Sequence, residues 1–159
     1  MPSVLIVCTA NICRSPMAEA ILRRLISERQ DADEWHVASA GTWAMDGSRP
    51  AFLSQHVMDM RGIDISLHRS QSTSLKLLLD FDLVLTMEDE HKTYLQEQYG
   101  EMADRIYLLS EMVGEMIDIP DPIGGELSDY QEIAYLLERI LSDGLDNIYQ
   151  LALMHQQED

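Results

Sequence analysis

The sequence predicts an α/β fold in which a parallel sheet is covered by helices on both faces. Four short apolar runs rich in branched side chains alternate with longer segments whose apolar residues recur at helical spacing. Strands that alternate with helices are joined by right-handed crossovers, which make the strands parallel and place helices on both sides of the sheet. We therefore expect a doubly wound, four-stranded parallel sheet in a single domain that spans residues 1–159.

The first half of the chain is predicted to contain two strands and two helices. The run SVLIV is continuously apolar, which is typical of a strand buried on both faces of a parallel sheet. Ser15 followed by Pro16 is a favourable N-cap and first residue for the helix that follows. The elements expected here are a strand at 3–7, a helix from Ser15 to about residue 29, a strand at 35–40 and a helix at 50–61.

The second half is predicted to continue the alternation and to end in a long helix. Apolar residues at helical spacing between 133 and 141 give that helix one apolar face. The elements expected here are a strand at 81–87, a helix at 88–99, a strand at 105–109 and a helix from about Ser128, with Ile148 and Leu151 in a further apolar stretch.

Composition and charge restrict the kinds of partner and site. The 159 residues carry a formal net charge of −17, so we expect no nucleic-acid partner, because nucleic acids are bound by basic surfaces. No apolar stretch approaches the roughly 20 residues of a membrane span, and no basic residue precedes the apolar N-terminal run. We therefore expect a cytoplasmic protein without membrane contact. Two cysteines without a nearby histidine pair predict neither a disulfide framework nor a metal site.

The segment between the first strand and the first helix carries the clearest chemical signal. It reads CTANICRS at 8–15, and its backbone N–H groups can surround an anion at the helix N-terminus. The helix dipole and Arg14 favour the nucleophilic thiolate form of Cys8, and the planar guanidinium of Arg14 matches two phosphate oxygens. Ser15 can donate its hydroxyl to the Cys8 sulfur. Residues expected to bind substrate in this cradle are Thr9, Ala10, Asn11, Ile12, Cys13 and Ser15.

A phosphoryl group carried on cysteine requires an acid for the leaving group and then a base for the hydrolytic water. Asp121 lies between two prolines in the irregular stretch after the fourth predicted strand, at the same sheet edge as Cys8. We predict that Asp121 serves in both steps. Asp118 is the alternative acid and our second choice, because it lacks a proline on both sides.

On these residues the chain resembles the low molecular weight protein tyrosine phosphatase family. It has that family's Cys-x5-Arg-Ser signature in VCTANICRSPMAEA and an Asp-Pro near residue 120. Further similar segments are SAGT at 39–42, GI at 62–63 through HR at 68–69, and DLVLTM at 82–87, so the resemblance covers nearly the whole chain. It implies a four-stranded parallel sheet and hydrolysis of phosphotyrosine in phosphorylated proteins, without a cofactor or metal.

The same resemblance implies roles for individual residues. Cys8 is expected to be the nucleophile, Arg14 to bind phosphate or another oxyanion, and Asp121 to act as acid and then base. Asn11, Ser15 and Ser39 are expected to support the loop, and Trp43 and the residue after Asp121-Pro122 to wall the pocket. For His68, where the family often has histidine, both an active-site role and a structural one remain open.

Two departures from the family pattern keep other activities open. Ala10 stands where glycine is common, so the loop either accommodates a Cβ or is strained. The DPIGG run at 121–125 lacks the aromatic of many tyrosine-selective members and is similar to that of bacterial protein arginine phosphatases, although Ile12 replaces their threonine. An arsenate reductase is less expected, because thioredoxin-coupled reductases of this fold use two further cysteines. A non-catalytic phosphoprotein-binding module would not need both Cys8 and Asp121.

Two expectations concern the middle of the cradle. Ile12 should face the pocket mouth and favour an aromatic ring over a guanidinium group, with Trp43 or Tyr130 replacing the missing aromatic wall. Cys13 either captures oxidised Cys8 in a disulfide or is a small apolar residue packed behind the loop.

Overall fold

A four-stranded parallel sheet forms the centre of the computed structural model, which describes residues 1–29 and 34–156. The strands are β1 (Ser3–Cys8), β2 (His36–Gly41), β3 (Leu83–Thr86) and β4 (Ile106–Leu108), in the spatial order β2-β1-β3-β4. The chain moves from β1 to one neighbour and then crosses to the other, so β1 borders the topological switch point of the sheet. Ligands of doubly wound folds bind at the carboxyl ends of strands at this point.

In the described ranges, six α-helices cover the two faces of the sheet. Residues of α1, α2, α5 and α6 belong to the core on one face, and residues of α3 and α4 to the core on the other. The helices are α1 (Arg14–Ser27), α2 (Phe52–Met60), α3 (Leu75–Leu79), α4 (Asp89–Gln98), α5 (Leu127–Asp143) and α6 (Leu145–Gln156). Two short 3₁₀ helices, Gly100–Arg105 and Leu109–Val113, flank β4.

The buried pattern of β1 explains its continuous apolar sequence. Val4 and Ile6 contribute to one core, and Leu5 and Val7 contribute to the other. Successive side chains of a strand point to opposite faces, so a strand covered on both sides needs apolar residues at every position. All six residues of β1 are buried, and its end therefore holds the loop after Cys8 on a rigid support.

The predicted strands and long helices are present, with bounds that differ by at most two residues. The predicted cap of α1 is wrong. The helix begins at Arg14 with Cys13 as its N-cap, and no side chain caps it. Ser15 lies inside the first turn, and its hydroxyl is engaged by two other residues of the loop, the sulfur of Cys8 and the amide of Asn11. Pro16 remains in the first turn, where the missing N–H has no cost.

Two features of the helices were not predicted. The five-residue helix α3 is too short to give an apolar period, and Ser74 caps it by accepting a hydrogen bond from the N–H of Leu77. Helices α5 and α6 are separate, with Gly144 between them. A Cβ on Gly144 would lie 2.8 Å from the Cβ of Met112, so the break is also a point of close packing. Within the described ranges no helix is long and apolar enough to cross a membrane.

Candidate active site

The loop at 8–15 turns tightly from β1 into α1. Asn11 has a φ of 59° and is the one non-glycine residue with positive φ in the described part of the chain. Asparagine tolerates this left-handed conformation better than most residues, as expected from the sequence. Ala10 does not adopt a positive φ, so the loop accommodates its Cβ without the strain that glycine would relieve.

The side chain of Asn11 connects the loop to the rest of the sheet edge. It is fully buried, and its Nδ2 donates to Ser15 Oγ at 2.7 Å and to Ser39 Oγ at 2.9 Å. Its Oδ1 accepts from the N–H of Gln71 at 3.0 Å. Ser39 in turn donates to Glu19 Oε1 at 2.9 Å. Every polar atom of this amide is therefore paired, which fixes the middle of the cradle relative to β2.

Cys8 ends β1 with its sulfur in contact with a hydroxyl. The residue is 2% exposed, and its Sγ lies 2.9 Å from Ser15 Oγ. Because Ser15 Oγ accepts from Asn11, the hydrogen of Ser15 is free to point at the sulfur. This contact fixes the position of the Cys8 sulfur at the entrance to α1.

Two segments outside the loop hold its outer side. A carbonyl oxygen can only accept, so His68 donates from Nε2 to the carbonyl oxygen of Asn11 at 2.8 Å. This contact places His68 at the cradle. The N–H of Trp43 donates to the carbonyl oxygen of Thr9 at 2.9 Å. A Cβ on Gly41 would lie 2.3 Å from that same oxygen, so this approach of β2 to the loop requires glycine.

Arg14 is buried, with Nη1 of its guanidinium group anchored and with the edge formed by Nε and Nη2, here called the open edge, less fully paired. It is 1% exposed, and its Nη1 donates to the carbonyl oxygen of Ile119 at 2.7 Å and lies 3.4 Å from Glu88 Oε1. Its Nη2 has longer contacts, at 3.4 Å to Thr9 Oγ1 and 3.5 Å to Asp121 Oδ2. Its Nε has no hydrogen-bond partner within residues 1–29 and 34–156. Since Nε and Nη2 share one edge, that edge can donate to two oxygens of an oxyanion.

The segment that contains Asp121 is tied to the sheet and to Arg14. The N–H of Ile119 donates to the carbonyl oxygen of Met87 at 2.9 Å, and its carbonyl oxygen accepts from Arg14. Asp121 Oδ1 accepts from the N–H of Ile123 at 3.0 Å, and the carboxylate is 34% exposed. The structure thus places a partly solvated carboxylate beside the open edge of Arg14.

Asp118, the alternative acid, is engaged elsewhere. Its Oδ1 accepts from the N–H of Asp89 at 2.8 Å, at the beginning of α4. An anion at a helix N-terminus is stabilised by the helix dipole, which gives Asp118 a structural role. The geometry favours Asp121 as the carboxylate of the site.

Sequence reasoning missed His91 and Glu88. His91 is 3% exposed, its Nδ1 accepts from the N–H of Glu88 at 3.1 Å, and its Nε2 lies 2.8 Å from Thr9 Oγ1. Burial and the nearby positive charge of Arg14 lower the pKa of His91 from 6.5 to about 4, so the ring is neutral at pH 7. Both residues follow β3 directly, and the carboxyl ends of parallel strands meet at one edge of a sheet. Their position just after the third predicted strand could therefore have placed them near the loop from the sequence alone.

A largely apolar cavity lies beside the cradle on the side of Ile12. This cavity of about 400 Å³ is lined by residues that include Ala10, Ile12, Trp43 and Met45. Trp43 is 85% exposed, which leaves its ring free to contact a bound group. The alternative that Tyr130 forms an aromatic wall is wrong. Tyr130 is 4% exposed and lies behind the cradle, because it shares the buried face of α5 with the core.

Cys13 lies under the loop. Burial is the main cause that raises the pKa of its thiol, and its Sγ is 3.7 Å from the hydroxyl of Tyr130.

We expect peroxide to convert Cys8 to a sulfenic acid, which Cys13 captures as a disulfide with release of water. Because only the thiolate of Cys13 attacks, the disulfide fraction should increase with pH relative to sulfinic acid at Cys8. Mass spectrometry after oxidation at several pH values measures this ratio. Cys13→Ser is the control, and sulfinic acid with Cys13 still free at every pH contradicts the prediction.

Three comparisons place this geometry among known proteins. The family model "Low molecular weight phosphotyrosine protein phosphatase" matches residues 3–151. The chain is 36% identical to the probable low molecular weight protein-tyrosine-phosphatase EpsP of Ralstonia nicotianae, over 86% of this chain and 89% of that protein. It is 34% identical to the protein-arginine-phosphatase of Bacillus subtilis, over 87% of this chain and 91% of that protein.

A solved structure agrees with the sequence comparisons. The low molecular weight protein tyrosine phosphatase from T. tengcongensis superposes with a TM-score of 0.86 at 37% identity, covering 92% of this chain and 99% of that one. The match to the family model extends over nearly the whole chain, and the loop, the buried arginine and the acid segment all lie inside it. The chain belongs to the low molecular weight phosphotyrosine protein phosphatase family.

Proposed function

We propose that this chain is a cytoplasmic protein tyrosine phosphatase that hydrolyses phosphotyrosine in proteins through a cysteinyl-phosphate intermediate. One observation carries the proposal: the buried Arg14 presents an unpaired Nε and an Nη2 with only long contacts beside the Cys8 loop and the Asp121 carboxylate. An edge of this shape binds two oxygens of a phosphoryl group. The test is release of phosphate from phosphotyrosine peptides by the purified protein.

In the first step the Cys8 thiolate attacks phosphorus. The S–P bond forms while the bond from phosphorus to the tyrosine oxygen breaks, and Asp121 gives its proton to that oxygen. Arg14 and the backbone N–H groups of the loop stabilise the charge on the three other oxygens. The hydroxyl of Ser15, 2.9 Å from the sulfur, stabilises Cys8 as a thiolate before attack.

In the second step water hydrolyses the cysteinyl phosphate. Asp121, now ionised, accepts a proton from the water as the new O–P bond forms and the S–P bond breaks. Cys8 leaves as a thiolate, and the hydrogen bond from Ser15 assists its departure. The cycle ends with inorganic phosphate in the cradle and Asp121 protonated for the next substrate. The proposal requires no cofactor.

A protein arginine phosphatase is the second candidate. It is favoured by the relative of that name and by Ile123, which is 57% exposed and leaves no aromatic ring after Pro122. Ile12 opposes it, because a guanidinium group desolvated against this apolar side chain would lack a partner for its N–H donors. Turnover of phosphotyrosine and phosphoarginine peptides by one preparation distinguishes the two. Faster turnover of phosphoarginine would overturn our choice.

Replacement of Ile12 should change this selectivity. Ile12→Thr adds a hydroxyl acceptor to the cavity beside the cradle, whereas Ile12→Val, which has nearly the same shape as threonine, does not. We expect Ile12→Thr to shift the ratio of kcat/KM values toward phosphoarginine by about ten- to a hundredfold, since an unpaired buried polar group costs roughly 1–3 kcal/mol. Equal ratios in the Thr and Val variants would assign selectivity to the segment after Asp121.

A further inference from the structure

We propose that His91 is a positioning residue for the oxyanion-binding edge of Arg14 and that it acts through the hydroxyl of Thr9. The inference rests on the proposed phosphatase function of the cradle. His91 belongs to α4, which packs on the face of the sheet opposite to α1. It reaches the loop because β3, the strand before α4, lies next to β1.

The hydrogen-bond partners of His91 determine its tautomer. Its Nδ1 accepts from the N–H of Glu88 at 3.1 Å, so this nitrogen carries no hydrogen. In the neutral ring the hydrogen is then on Nε2, which donates to Thr9 Oγ1 at 2.8 Å and lies 3.4 Å from Glu88 Oε2. Because His91 is 3% exposed, neither contact is shared with bulk water.

The hydroxyl of Thr9 receives two donors. Besides His91 Nε2, it lies 3.4 Å from Nη2 of Arg14. A hydroxyl oxygen has two acceptor positions, so Thr9 Oγ1 can accept from both groups while its own hydrogen points away from them. The short bond from His91 thus fixes the oxygen against which Nη2 rests. Nη2 is one of the two donors on the edge that faces an oxyanion.

Glu88 completes the arrangement at the other end of the guanidinium group. It is the N-cap of α4, three residues before His91, and its Oε1 lies 3.4 Å from Nη1 of Arg14. The start of α4 is therefore linked to both terminal nitrogens of Arg14. Glu88 lies near Nη1 directly, and His91 is linked to Nη2 through Thr9. A neutral histidine provides the second contact without a positive charge beside Arg14.

Two substitutions separate the roles of the ring nitrogens. Asparagine places an acceptor near the position of Nδ1 but does not reach Thr9, whereas the longer glutamine places a donor near Nε2. We expect His91→Asn to lower kcat/KM for para-nitrophenyl phosphate about tenfold and to raise the inhibition constant of inorganic phosphate by a similar factor. His91→Gln should restore both values to within about threefold of wild type.

A purely structural role for His91 predicts a different result. It would lower the melting temperature and the fraction of active enzyme but leave the inhibition constant of phosphate unchanged. Leu95→Ala is the matched control, because Leu95 is a fully buried residue of α4 in the core on the α3 and α4 face. Equal effects of Asn and Gln, or an unchanged phosphate constant in His91→Asn, would overturn the proposal.

Thr9→Val provides a second variant that preserves side-chain volume. It should weaken phosphate binding as His91→Asn does, and the double variant should be no weaker than either single one, because both remove the same contact. Additive losses would contradict action through Thr9. Calorimetric titration with phosphate measures these affinities without turnover. If the wild-type protein binds phosphate but hydrolyses no phosphomonoester, the proposed function is refuted. The phosphate affinities of the variants still test the role of His91 in that case.

Discussion

Cys8→Ser is expected to abolish turnover of phosphotyrosine peptides and of para-nitrophenyl phosphate while inorganic phosphate or vanadate still binds. The two properties separate because binding uses Arg14 and the backbone N–H groups of the loop, whereas the chemistry uses the thiolate. A serine hydroxyl is far less ionised than a thiol near neutral pH, and Ser15, 2.9 Å from the Cys8 sulfur, supplies no base to activate it. Steady-state kinetics and phosphate titration of the same sample measure both properties.

Cys13→Ser is the matched control for this experiment. Cys13 lies in the same loop but contacts the hydroxyl of Tyr130 rather than the open edge of Arg14. We expect it to retain turnover within about tenfold of wild type, because nucleophilic chemistry does not pass through it. Residual activity of Cys8→Ser within tenfold of wild type would place the nucleophile elsewhere.

The sequence predicts the part of the site that lies in one continuous segment, from β1 through the loop into α1. A strand, an eight-residue loop and a helix follow one another directly, so the chemistry of Cys8, Arg14 and the left-handed Asn11 could be inferred before any tertiary contact was known. The position of Asp121 near the loop was also accessible from the sequence, since the carboxyl edge of a parallel sheet collects the segments that follow its strands.

The missed contacts depend on which strands are neighbours. Ile119, which anchors Arg14, and His91, which contacts Thr9, are far from the loop in sequence. They reach the loop because β3 is a neighbour of β1 in the sheet, and the order of the strands along the chain does not by itself determine which strands pair. Ile119 acts through a backbone carbonyl, which leaves no signature in the choice of side chain.

The wrong predictions have identifiable physical causes. Serine is a favourable N-cap residue, but the hydroxyl of Ser15 forms hydrogen bonds to Cys8 and Asn11 across the loop, and these take the place of a cap. Tyr130 precedes Ile133 and Leu137 by three and seven positions, so the period of α5 already places it on the buried face. That period was available in the sequence and should have excluded Tyr130 from the pocket wall.

Asp121→Asn should lower kcat/KM, which reports the step in which the leaving group departs, strongly for substrates whose leaving groups are weak acids. The amide keeps the hydrogen bond from the N–H of Ile123 to Oδ1, so the segment retains its conformation, but it has no proton of carboxylic acidity to give. General acid catalysis contributes about 10²- to 10⁴-fold, which sets the expected loss for phosphotyrosine. The loss should shrink steadily across aryl phosphates as the leaving phenol becomes more acidic, because an acidic phenolate departs without protonation.

The slope of log kcat/KM against leaving-group pKa separates this role from a purely electrostatic one, because kcat/KM does not include hydrolysis of the cysteinyl phosphate. Asp121 Oδ2 lies 3.5 Å from Nη2 of Arg14, so its negative charge also affects how strongly the guanidinium attracts phosphate. Loss of that charge alone would change all aryl phosphates by one common factor, whereas loss of the acid steepens the slope. The control is Asp118→Asn, because the carboxylate of Asp118 accepts a hydrogen bond from the start of α4. This substitution should leave the slope unchanged. An equal loss across leaving groups in Asp121→Asn would remove Asp121 from the acid role and direct attention to the charge beside Arg14.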